Sequence, residues 1–120
     1  MKENNQIIQK SKAFAVRIIK LYQYLTEEKK EYILSKQVLR CGTSIGANIK
    51  ESIRAQSTAD FLAKMQISLK EASETEYWLE LLHRKEKLTD EQFKALNNAR
   101  GTIQRKLIAS ITTAKKNSGR

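Results

Sequence analysis

The sequence predicts an all-α, antiparallel up-down-up-down four-helix bundle formed by residues 1–120 as a single domain. Three observations predict it. The chain has no proline, the residue that interrupts helices. Four segments repeat apolar residues at alternating spacings of three and four, the period of an amphipathic helix. The connections between those segments are short, which makes consecutive helices neighbours that run antiparallel. No segment alternates with period two, so strands are not expected.

Helix one is expected over about residues 5–26, with Ile7, Phe14, Ile18, Leu21 and Leu25 on one stripe and Ser11 in the remaining slot. The charged cluster Glu27-Glu28-Lys29-Lys30-Glu31 then marks a polar turn or a fresh helix start. Helix two is expected over about 31–55, with Leu34, Val38, Cys41, Ile45, Ile49 and Ile53 as its seam. Gly42 and Gly46 interrupt that seam at about 1 kcal/mol each relative to Ala. Close approach of another helix accounts for them better than a membrane dimer motif, because Arg40 and Lys50 flank the pair.

Ser57 or Thr58 is placed to cap helix three, expected over 58–84, with Asp60 in its first turn. Phe61, Met65, Leu69, Ala72, Leu79 and Leu82 form its seam, widened by Trp78 and Leu81. Helix four is expected over 89–115 and opens on Thr89-Asp90-Glu91-Gln92, a capping box. Phe93, Leu96, Ile103, Leu107 and Ile111 make its seam, Gly101 is a weak point, and residues 117–120 are expected to fray.

The sequence gives no support for catalysis, and no enzyme, cofactor or metal site is expected. Glu80-Leu81-Leu82-His83 matches the Glu-x-x-His element of di-iron bundles, but such sites need two of these motifs and the chain has one histidine. Gly42-Thr43-Ser44-Ile45-Gly46 lacks the preceding strand and the Gly-Lys-Ser/Thr ending of a phosphate loop. Cys41, the only cysteine, excludes an intrachain disulfide, reads as a small core hydrophobe and fits a reducing compartment. No apolar run has the length of a membrane span and the N-terminus has no secretory signal, so a cytoplasmic protein is expected.

Polar residues flank two of the seams. Ser44, Asn48 and Glu51 lie beside that of helix two, and Glu71, Glu74 and Trp78 lie on a mixed stripe of helix three. They are either a solvated rim or a polar network between helices two and three or between subunits. Trp78 on a partly polar stripe favours an interface.

The run Ser44-Ile45-Gly46-Ala47-Asn48-Ile49-Lys50-Glu51, with Asp60-Phe61 and Lys70-Glu71-Ala72-Ser73-Glu74-Thr75-Glu76-Tyr77-Trp78-Leu79, resembles the S23 ribosomal protein family, also called 23S rRNA intervening-sequence proteins. The resemblance spans nearly the whole chain; many relatives carry Pro where Gly46 stands. It implies a bacterial, cytoplasmic helical bundle that assembles into a ring. It also implies kinship with the accessory variability proteins of diversity-generating retroelements, homopentamers that work beside a reverse transcriptase and its RNA.

The net charge of +10 favours partners with anionic backbones. Residues 1–26 carry five basic and one acidic side chain, 32–57 four and one, and 88–120 seven and two, whereas 58–87 carries five and six. Lys10, Arg17 and Lys20 recur along helix one, and Lys94, Arg105 and Lys116 along helix four. These six are the expected phosphate contacts, on rows that can merge if helices one and four are neighbours; a merely solvated face is the alternative. The expected function is a homo-oligomeric bundle that binds RNA or an RNA–protein assembly without reading its sequence. The alternative is a protein-interaction scaffold whose charge only aids solubility.

Overall fold

A computed structural model describes the backbone of residues 2–118 and the side chains of residues 6–118. Its helices are α1 (Lys2–Glu27), α2 (Leu34–Ile53), α3 (Thr58–Arg84) and α4 (Asp90–Ser118), with no strand among the described residues. They form a rod measuring 51 × 22 × 21 Å. Each helix packs on its sequence neighbours, and α4 closes the ring against α1 along the loosest of the four seams.

Local chemistry explains where the helices begin and end. α1 is closed by the amide of Glu31 on the carbonyl of Leu25 at 2.8 Å, while Lys30 takes a positive φ of 53°. α2 starts at Leu34, three residues later than expected, where Glu31 Oε1 accepts the amide of Ser35 at 2.7 Å. Ser57 caps α3, its Oγ accepting the amide of Asp60 at 3.1 Å. α3 ends when the amides of Glu86 and Lys87 bond the carbonyls of His83 and Leu82, with Glu86 at φ 60° where glycine is usual. The capping box at α4 is formed in both directions, at 2.9 Å and 3.1 Å.

The expected seams meet in one core. Phe14, Ile18, Leu25, Val38, Cys41, Ile45, Met65, Leu79, Leu82, Ile103 and Leu107 are all buried, and Ser11 occupies its slot with Oγ bonded to the carbonyl of Ile8 at 2.9 Å. Gly42 and Gly46 let α1 approach: a Cβ at Gly42 would lie 2.9 Å from Ile18 Cγ1, and one at Gly46 would lie 3.2 Å from Ser11 Oγ.

Three expectations need correction. Ile53 is 46% exposed, because α2 ends there and Ser52 turns inward instead, its Oγ on the carbonyl of Ile49 at 2.6 Å. Ala55 consequently lies outside α2. Asn117 and Ser118 continue α4, where fraying was expected; Gly119 and Arg120 lie outside the described residues. Helix four also buries a cation. Arg100 sits between Leu96 and Ile103 at 5% exposure, bonded to Glu76 at 3.0 Å, to Asn97 Oδ1 at 2.8 Å and to Gln104.

Candidate nucleic-acid interface

The loose α1–α4 seam follows from its side chains. Ala13 on α1 and Ala95, Ala99 and Thr102 on α4 are too small to fill the space between the two helices. The result is a shallow groove in two connected stretches. One, of about 210 Å³, runs over Phe14 and Ile103 between Lys10 and Arg17. The other, of about 340 Å³, runs over Leu21 and Leu96 between Arg17, Lys20 and Tyr24. Arg17 is common to both. At the end of the rod, Tyr24 also borders a third concavity of about 510 Å³ that holds Lys29, Arg84 and Lys87 together with Glu86 and Asp90. A concavity of about 530 Å³ at the opposite end, against Ile53, Phe61 and Ala114, has only neutral side chains.

The structure separates the two expected rows of cations. Lys10, Arg17 and Lys20 line the groove. Lys94, Arg105 and Lys116 are exposed but line neither of its stretches. Residues eleven apart advance by only about 20° around a helix, so these three share one stripe, turned away from Ile103 and Leu107. Arg105 folds along its own helix, donating to Thr102 Oγ1 at 3.2 Å. Lys106, which the sequence did not single out, is the α4 lysine that reaches α1, with Nζ 3.4 Å from Gln6 Oε1.

Among the described residues, Arg40 and Arg100 are the only lysines or arginines in ion pairs. The six expected phosphate contacts are therefore exposed cations with no carboxylate partner among those residues. His83 takes no metal-site geometry. Its Nε2 lies 2.5 Å from Asp90 Oδ1, its ring stacks on Phe93, and its hydrogen bond and charge hold the Asp90 carboxyl below its ordinary range. No group of three or more His, Cys, Asp or Glu among the described residues is placed to hold a metal ion.

The opposite face of the rod, along α2 and α3, carries the polar cluster. Glu71 and Glu74 are joined by Arg40, which reaches Glu71 at 3.4 Å and also pairs with Glu74. Burial works against the Arg40 charge, but Glu74 and Glu71 outweigh it and raise its affinity for the proton. Trp78 Nε1 donates to the same Glu74 oxygen at 3.1 Å. Ser44 and Asn48 do not bridge to α3. Their short side chains bond carbonyls one turn back, Ser44 to Arg40 at 2.6 Å and Asn48 to Ser44 at 2.9 Å. Glu51 is exposed. Arg40 was missed because its angle on helix two assigns it to no seam; only the position of α3 gives it partners.

Beneath this face, buried hydroxyls join the helices. Ser68 Oγ donates to the carbonyl of Ile45 at 2.8 Å, and Thr75 Oγ1 lies 3.2 Å from Cys41 Sγ. Burial pushes the Cys41 thiol up despite that contact, which leaves it a packing group and not a nucleophile.

Comparison with known proteins agrees with this architecture. The family model described as 23S rRNA-intervening sequence protein matches residues 3–109. A crystal structure from Bacteroides thetaiotaomicron, described as a protein with unknown function from the S23 ribosomal protein family, is 55% identical. The match covers 92% of this chain and 98% of that one, with a TM-score of 0.91. No curated protein matches the chain.

Proposed function

Because the chain belongs to the 23S rRNA-intervening sequence protein family, we propose that it is a non-enzymatic bundle that binds RNA, or an RNA–protein assembly, through exposed lysines and arginines. The observation that carries this reading is the unpaired state of those cations. Lys10, Arg17, Lys20, Lys94, Arg105 and Lys116 face solvent without a carboxylate partner among the described residues, in a chain of net charge +10. Charges so arranged neutralise phosphates without reading bases, and each neutralised phosphate releases bound counterions.

Titrating RNA affinity against salt tests this directly. About six phosphate contacts predict a log–log slope of about −4 for a single strand and about −5 for a duplex. A flat line, or no binding at low salt, removes the reading.

The α2–α3 face supports a second component of the proposal, self-assembly into a ring. Ile67 and Tyr77 are 43% and 56% exposed beside half-buried Trp78, an apolar and aromatic grouping of the kind that interfaces cover. That same face favours the alternative in which the ring is a scaffold for another protein and the charge has no direct role. Light scattering reports the assembly: a monomeric mass at working concentration counts against both the ring and the scaffold built on it.

A further inference from the structure

We infer that the α1–α4 groove is a track for single-stranded RNA, holding unstacked bases on its apolar floor and the backbone on its α1 rim. This rests on the RNA-binding reading above and specifies the form of RNA and the place it occupies.

Three features of the groove point to this ligand. Its accessible apolar surface comes from Ala13, Ala95 and Ala99, laid over the buried side chains of Phe14, Leu21, Leu96 and Ile103, whereas a surface that only tracks a duplex backbone needs none. Its rim carries Lys10, Arg17 and Lys20, and no carboxylate lines either stretch between Lys10 and Tyr24. Acidic groups appear only past Tyr24, where Glu86 is exposed and Asp90 is engaged by His83.

Tyr24 is the third feature. It is half-buried at the mouth of the groove, with Lys29 Nζ over its ring at 5.8 Å from the centroid, so a base stacking on that face must displace the Lys29 cation, which stays within reach of its phosphate. Lys87 extends the cationic path beyond it, its Nζ 3.4 Å from the carbonyl of Lys29.

From Lys10 to Tyr24 the groove follows fourteen residues of helix, about 21 Å, a footprint at the short end of the range for single-strand grooves.

The test compares a short single-stranded RNA with a duplex of equal length, at one fixed salt concentration, on the full chain. Wild type is expected to bind the single strand at least tenfold more tightly. Ala95→Phe fills the groove without changing charge, and Tyr24→Leu removes the stacking ring while keeping an apolar group. Each is expected to weaken single-strand binding about tenfold and to leave duplex binding and the thermal midpoint unchanged.

Single-strand affinity unaltered in both variants, or equal affinity of wild type for both RNAs, overturns the groove while leaving RNA binding standing. No affinity for either RNA at low salt overturns the groove and the RNA-binding reading together. Tighter binding of an acidic amphipathic peptide, lost in Ala95→Phe, assigns the groove to a protein segment and overturns the RNA track.

Discussion

Arg100 shows how a buried cation can make its partner indispensable while being replaceable itself. Its guanidinium is almost fully buried, and burial lowers its proton affinity against the pull of Glu76 and Glu80. Removing Glu76 strands a buried cation, whereas replacing Arg100 leaves Glu76, 40% exposed, free to meet water. Glu76→Gln is therefore expected to lower stability by about 1–2 kcal/mol, less than the loss of a fully buried pair because solvent reaches one partner. Arg100→Met should stay within about 1 kcal/mol of wild type. Urea denaturation of the two variants checks the asymmetry, and equal losses would contradict it. In the sequence, Arg100 occupies a seam position between Leu96 and Ile103 and was passed over because arginine is rarely a core residue. The omitted slot in an otherwise regular stripe was the available signal.

At the scale of helices, the glycines report how closely each pair packs. α1 lies against Gly42 and Gly46, while Gly101 on α4 faces only the flexible end of Arg105, 3.3 Å from a Cβ built there. Alanine has the same intrinsic advantage of about 1 kcal/mol at all three positions. At Gly42 it must push Ile18, fully buried and β-branched, and overpacking costs about 1–3 kcal/mol. Gly42→Ala is accordingly expected to lower the thermal midpoint and Gly101→Ala to raise it, by a few degrees each, which calorimetry resolves. Close approach at Gly42 and Gly46 was legible in the sequence; that the approaching helix is α1 was not. Both glycines lie on a helix with neighbours on two sides, and spacing alone does not say which side each neighbour takes.

The whole molecule has two unlike faces: a cationic groove along α1 and α4, and a mixed polar and aromatic surface along α2 and α3. If the cations are the functional groups, reversing Arg17 and Arg105 to Glu should reduce RNA affinity at least a hundredfold, since each substitution removes a phosphate contact and adds a repulsion. Under the scaffold alternative the same double variant captures its protein partner as wild type does. Measuring RNA binding and assembly mass on one preparation distinguishes the two, because both substitutions lie away from the α2–α3 face.

The sequence by itself determined four amphipathic helices, the capping residues of α3 and α4, nearly all of the core and the sign of the surface. These depend on spacing within one helix and on the chemistry of adjacent residues. Only the tertiary structure decided which cations line a groove, which cation joins Glu71 to Glu74, and that the α1–α4 seam is the open one. A helix shows its angular pattern in sequence, but the partner at each angle is set by how four rods pack. The space left between two of them is a difference between side-chain volumes that no single segment contains.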